Sequence, residues 1–156
     1  PRYAGERFHW RLTTEDLVTG DWRSDAITGD RRFSREGWAH LYIYRAFPYV
    51  RAVVHGHPFH ILPFAARGAP IEPVLETAQH IGVVPVCAAA ASETRQLAEN
   101  IVAALRGREA LMHSLAAPVI MPGHGIILAG EDLDRALAVL ELVDENAYCL
   151  LQQQKT

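Results

Sequence analysis

The stretch Val50-Arg51-Ala52-Val53-Val54-His55-Gly56-His57-Pro58 decides how this chain is read. Its apolar, β-branched run predicts a strand over Tyr49 to His57, and Pro58, which has no N–H to give a ladder, stops it. Side chains alternate along a strand, so His55 and His57 face the same way. Two imidazoles aimed together from a rigid element are how a protein presents two ligands to a transition metal. Such a site needs a third ligand, and catalysis needs an acid or base besides.

Outward from this strand the pattern is that of a mixed α/β domain, with helices covering a sheet. Upstream, Trp38, Leu41, Tyr42 and Arg45 recur at helical spacing, and Pro48 ends the helix. Downstream, Pro58 to Ala66 reads as a helix closed by Gly68. Ile81 to Ala88 reads as an apolar strand at a sheet edge, because Pro85 cannot donate to a ladder. Ser92 is the expected N-cap of a helix with the stripe Leu97, Ile101 and Leu105, ending near Gly107. Ala110 to Leu115 and Pro118 to Met121 are expected strands. Pro122-Gly123-His124-Gly125 is a turn, and Ile126 to Ala129 is the returning strand. Leu133, Ala136, Leu137, Leu140, Val143 and Ala147 predict the longest helix. Ahead of Ser34, two short strands are expected, Arg7 to Leu12 and Leu17 to Trp22, among turn residues. Tyr42, Tyr44 and Tyr49 are spaced as core or interface aromatics.

The bulk properties narrow the function. With 156 residues, the chain suits a single domain over residues 1–156 with a sizeable core. It starts at Pro1 with no methionine before it, so a preceding segment is expected to be missing. Apolar residues make up 49% and charged residues 21%, ordinary globular proportions. Fifteen Lys and Arg against eighteen Asp and Glu leave a formal charge of -3, which advertises neither a nucleic-acid nor a membrane partner. The arginines between Arg23 and Arg35 suit a small anionic ligand instead. Cys87 and Cys149 lie in apolar contexts without a partner motif and read as buried free thiols of a reducing compartment. No stretch approaches a membrane span and no signal peptide opens the chain, so a cytoplasmic location is expected.

His124 has the setting expected of a third ligand. Flanking glycines let the backbone pass close to a neighbour and leave the imidazole projecting from a loop tip. Alternatively it is a turn histidine facing solvent. His55, His57 and His124 together would make a three-histidine site with an open position, as a catalytic metal keeps. Glu36 is the candidate acid or base; its other role is to favour the helix N-terminus, where a carboxylate complements the dipole and Ser34 could cap the same end. Spacing does not choose between the two. His60, His80 and His40 are further residues that could reach such a site, whereas His9 and His113 offer nothing beyond surface or strand positions.

Taken together, Ser34-Arg35-Glu36, Ala52-Val53-Val54-His55-Gly56-His57-Pro58, and Gly123-His124-Gly125 ahead of Leu133-Asp134-Arg135-Ala136-Leu137 resemble the class II aldolase/adducin family. Leu12-Thr13-Thr14-Glu15-Asp16-Leu17-Val18 resembles the segment that precedes the family's acidic residue, and the resemblance covers roughly residues 12 to 152. The interval from Glu36 to His55 matches that between the family's acid/base carboxylate and its first histidine. The resemblance implies a three-layer α/β/α sandwich on a mixed, mostly antiparallel sheet, and a homo-oligomer, usually a tetramer, with sites near subunit interfaces. It implies a divalent metal on His55, His57 and His124, most often Zn2+, with Mn2+, Co2+ or Fe2+ as alternatives.

The chemistry of the bare residues agrees. A metal with an open position polarises a ketone or hydroxyl oxygen and stabilises a developing enediolate, while Glu36 carries the proton to or from carbon. A lyase that cleaves a C–C bond next to a carbonyl follows. Decarboxylation, epimerisation or dehydration on the same metal, or a non-catalytic oligomerisation domain of the adducin type, are the alternatives. Retention of all three histidines and the carboxylate favours the enzyme. Family members that act on sugar phosphates carry a Gly-Asn-type upstream loop and a Ser-Ser-Glu run. Here the loop is absent and Arg35 replaces the second serine. Ser34 and Arg35 are therefore the candidate substrate-binding residues, with Arg35 suited to a bidentate carboxylate or else facing solvent. The expected partner is a small carbonyl compound, either a sugar phosphate or a carboxylated molecule.

Overall fold

The computed structural model describes residues 13–29 and 33–153. Its elements are β1 (Thr19–Gly20), β2 (Ile27–Thr28), α1 (Gly37–Ala46), β3 (Ala52–Gly56), α2 (Leu62–Arg67), α3 (Arg95–Leu105), α4 (Glu109–Ser114), β4 (Ala117–Met121), β5 (Gly125–Gly130) and α5 (Leu133–Gln153), with 3-10 turns at Thr14–Asp16 and Glu76–His80. The main sheet has the order β3-β5-β4 and both pairings are antiparallel. Val86 adds a parallel bridge to Ile120, so the sheet is mixed but mostly antiparallel.

Strand alternation divides the core in two. Val119, Met121, Ile127 and Ala129 face one side, where α1, α3 and α4 supply Ile43, Phe47, Ile101, Leu105 and Met112. Ile120, Ile126 and Leu128 face the other, against Phe64 of α2 and Ala136, Val139 and Val143 of α5. This is an α/β/α sandwich of three layers. Burying each such aliphatic side chain contributes roughly 1.5–3 kcal/mol, which fixes the register: a one-residue slip would turn every strand side chain to the wrong layer.

Local sequence explains most boundaries. Helix α1 ends at Phe47, whose φ of -130° and ψ of 83° are extended because it precedes Pro48. Helix α2 ends on Gly68 at φ 58°, the left-handed C-cap that glycine fills without strain. The helix is shorter than expected at its start, beginning at Leu62 and not at Pro58. In the connection before it, Asp144 of α5 accepts the backbone N–H of His60 (2.9 Å) and of Ile61 (3.2 Å). Asn146, also on α5 and 2% exposed, accepts the N–H of Val74 (2.8 Å) and Leu75 (3.0 Å) and donates to the carbonyl of Glu72 (2.8 Å). Helix α1 grips the β1–β2 hairpin through Arg45, which meets the Asp25 carboxylate and donates to the Trp22 carbonyl.

Several further expectations are corrected. Ala110 to Leu115 is not a strand but most of helix α4: Ala, Leu and Met favour a helix, and a short apolar run carries no period to reveal it. The cap of α3 is Thr94, whose hydroxyl accepts the Leu97 N–H at 3.2 Å, rather than Ser92. Ile81 to Ala88 forms no continuous strand. It makes one bridge from Val84 to Ile71 and one from Val86 to Ile120, because Pro85 between them has no N–H to continue a ladder. Of Leu17 to Trp22, only Thr19–Gly20 is strand. The expected strand Arg7 to Leu12 lies outside the described residues, as does His9. The three tyrosines are part-buried and pack against the core, and Cys87 is buried while Cys149 is half-buried, both free.

Candidate metal centre

Strand β3 sets His55 opposite Ile127, so His55 points into the layer that holds α1; His57, exposed just past the end of the strand, brings its ring to 4.7 Å from that of His55. The His55 ring is tied by Nδ1, which lies 2.9 Å from the Ile126 carbonyl. A ring N–H donating there leaves Nε2 as the bare lone pair. That Nε2 is buried and has no hydrogen-bond partner. Burial pushes the His55 imidazole down to about 4, against the carbonyl, which raises it; His124, His57 and His40 push it lower. A ring held neutral with its lone pair aimed inward is what a metal requires.

The β4–β5 turn brings the third imidazole. Gly123 takes φ 70°, a conformation glycine adopts freely, and the His124 N–H donates to the Met121 carbonyl at 3.0 Å. Gly125 allows the turn to press on β3: a Cβ there would lie 2.5 Å from the Gly56 oxygen and 2.8 Å from Cδ2 of His57. The His124 ring stacks on that of His57 at 5.2 Å and stands 4.9 Å from that of His55. One ring nitrogen from each of His55, His57 and His124 lies within 4.8 Å of the other two. Shifts of about 1 Å would place all three at roughly 2.0–2.1 Å from one ion. The three-imidazole donor set and the orphaned Nε2 of His55 fit a borderline divalent cation.

Glu36 is at the N-cap position of α1, but its side chain makes no capping hydrogen bond. Instead its Oε1 lies 3.2 Å from Nε2 of His124, with the two side chains 10% and 19% exposed. The contact is close but not aligned as a hydrogen bond, since Oε1 is buried without a partner of that kind. A buried carboxylate oxygen is expensive unless a positive charge or a proton faces it. Burial lowers the His124 pKa most, while Glu36 opposes that shift and His57 and Arg35 add to it.

The structure thus brings together His55, His57, His124 and Glu36. Ser34 is exposed and its hydroxyl accepts the Glu36 N–H at 3.4 Å, so it braces the carboxylate's backbone. Arg35 is exposed and its Nε lies 2.6 Å from Oε1 of Glu93. His40 sits one turn beyond Glu36, with burial pushing it down to about 4. His60 is drawn away to Asp144, its Nδ1 at 2.8 Å from Oδ2. His80 is exposed at the end of the 3-10 turn, and His113 meets Glu131 and stacks on Tyr49. Sequence reasoning does not reach Ser92, whose hydroxyl lies 3.5 Å from Nδ1 of His124, nor Glu93. No local signal marks either, because both contacts join segments far apart in the chain.

The chain is similar to known proteins over most of its length. An L-fuculose phosphate aldolase of Haemophilus influenzae is 28% identical over 151 residues, covering 93% of this chain, and the chain spans 64% of that protein's length. A solved L-fuculose 1-phosphate aldolase superposes with a TM-score of 0.79 at 25% identity, over 94% of this chain and 67% of the other. The l-fuculose-1-phosphate aldolase of Thermus thermophilus gives 0.74 at 27%, over 92% and 72%. The model of the class II aldolase and adducin N-terminal domain matches residues 7–151. With nearly the whole chain matched, this protein belongs to the class II aldolase and adducin N-terminal domain family.

Proposed function

We propose that the chain is a metal-dependent lyase that cleaves, and in reverse forms, the C–C bond between the carbons α and β to a carbonyl in a small hydroxylated substrate. The observation that carries this reading is the buried Glu36 carboxylate 3.2 Å from one imidazole of a three-histidine cluster. His55, His57 and His124 would hold a divalent cation, zinc being the first choice for three imidazoles, and it would supply Lewis-acid polarisation of the substrate oxygen.

The protein's own part follows from the geometry. The Ile126 carbonyl fixes the tautomer of His55, and the Gly125 contact holds the turn against β3. In aldol cleavage the β-hydroxyl loses its proton, the bond electrons pass to the α-carbon, and that carbon gains a proton. Glu36, held at Oε1 beside the cluster, is the group that delivers or removes it; a positioned acid or base contributes roughly 10²–10⁴-fold. L-fuculose 1-phosphate aldolases among the relatives support a hydroxylated carbonyl compound as substrate. A homotetramer is the assembly proposed with it.

Metal analysis and an aldol-cleavage assay test this reading together. The purified protein supplied with zinc is expected to hold close to one ion per chain, and His55→Ala close to none. Cleavage of L-fuculose 1-phosphate and of carboxylated hydroxy-carbonyl compounds, followed by carbonyl release, should be lost in both His55→Ala and Glu36→Gln. A wild-type protein that takes up no metal overturns the proposal, as does a Glu36→Gln variant of undiminished activity.

A further inference from the structure

Two adjacent residues from the start of α1 meet two adjacent residues ahead of α3 around His124. Glu36 stands 3.2 Å from Nε2 of His124, and Ser92 stands 3.5 Å from Nδ1. Beside them Arg35 and Glu93 close on each other, Nε to Oε1 at 2.6 Å. Arg35 adjoins Glu36 and Glu93 adjoins Ser92, so the pair lies beside the two residues that flank His124. Glu93 has φ 68°, a left-handed conformation that residues with side chains keep mainly where the surroundings demand it. That backbone turns the Glu93 carboxylate onto the one cation of the segment Ser34-Arg35-Glu36. Both side chains remain open to solutes, 41% and 43% exposed.

An arginine beside a metal-binding cluster is the natural anchor for an anionic substrate group. A carboxylate seated on that arginine adds a negative charge where the anion must arrive. A phosphate dianion meets about twice the repulsion that a carboxylate monoanion meets, and an uncharged group meets none. We propose that Glu93 is a specificity-determining residue that, by holding Arg35, turns the site away from phosphorylated substrates and toward carboxylate-bearing ones. The inference rests on the lyase reading for what the substrate undergoes, and on the Arg35–Glu93 pair for which anion it carries.

Calorimetric titration of the zinc-loaded protein with inorganic phosphate and with acetate tests it. Glu93→Gln keeps the side chain's length and backbone and removes only the charge. It should tighten phosphate about tenfold and acetate about threefold, with metal content equal to wild type. Glu93→Asp should keep the wild-type preference, and Arg35→Gln/Glu93→Gln should lose the gain. The proposal is overturned if Glu93→Gln leaves the phosphate-to-acetate ratio within twofold of wild type, or if the gain survives without Arg35. A wild type that binds no metal would overturn the lyase reading alone. Phosphate titration of the metal-free protein would still read the Arg35–Glu93 pair.

Discussion

Replacing Gly125 by alanine tests whether the turn's approach to β3 is what assembles the histidine cluster. The added Cβ would lie 2.5 Å from the Gly56 carbonyl oxygen and 2.8 Å from the His57 ring, where ordinary contact begins at 3.4 Å. The nearest obstacle is backbone, so no rotamer change relieves it, and the turn and strand must part by close to 1 Å. This parting adds to the shift of about 1 Å that the ring nitrogens need to close on one ion, so His124 would no longer reach it together with His55 and His57. Overpacking of this kind costs about 1–3 kcal/mol, or a Tm lower by roughly 3–10 °C for a chain of this size. Zinc affinity, read by competition with a chromophoric chelator, should fall at least about 10–100-fold. Gly123→Ala is the control: a Cβ there meets nothing within 4 Å but the backbone sits at φ 70°, so it should lose about 1 kcal/mol and keep its zinc. Zinc affinity within twofold of wild type in Gly125→Ala, or equal loss in both variants, would refute the reasoning.

Three further outcomes are expected. Glu36→Gln should keep its metal while kcat/KM falls about 10²–10⁴-fold; loss of the metal instead would make Glu36 a structural partner of His124. Burial holds the His40 pKa at about 4, against 6.5 for the free side chain. The unfolded chain therefore binds a proton that the folded one refuses, and the metal-free protein should lose on the order of 2–3 kcal/mol as pH falls from 6.5 through 4. Denaturant titrations across that range should show a shallower slope for His40→Leu, and identical slopes would contradict this. Asn146→Ala orphans the N–H groups of Val74 and Leu75 and the carbonyl of Glu72, and should destabilise by about 3 kcal/mol in urea unfolding; a loss below about 1 kcal/mol would mean that water replaces the amide.

What can be read from this sequence is what repeats or punctuates. Alternation in Val53, His55 and His57 gives the facing of β3, Pro48 and Gly68 give the ends of α1 and α2, and the Leu133-to-Ala147 stripe gives α5. Helix α4 escapes because a run of six residues fits either period equally well. Ser92 resembles a cap because capping is a local rule, yet its hydroxyl turns to His124, 32 positions away. Glu36 has two readings at the helix start, and only its distance to His124 separates them. Arg35 is legible as a charge near the carboxylate; that Glu93 sits on it is not, since nothing short of the fold brings those loops together.

The order β3-β5-β4 also bears on how the molecule comes into being. Among the described residues β3 pairs with β5 alone, His55 lying opposite Ile127. The segments that follow β3 are held by Asp144 and Asn146 from α5. At roughly 5–20 residues per second, a ribosome needs several seconds between making the two-histidine strand and making the residues that complete it. For that interval an apolar strand stands with both edges open, the situation in which nascent chains associate with the wrong partner. Folding of this half of the molecule is therefore late, and the strand that carries two of the three imidazoles must wait for β5 before it can pair.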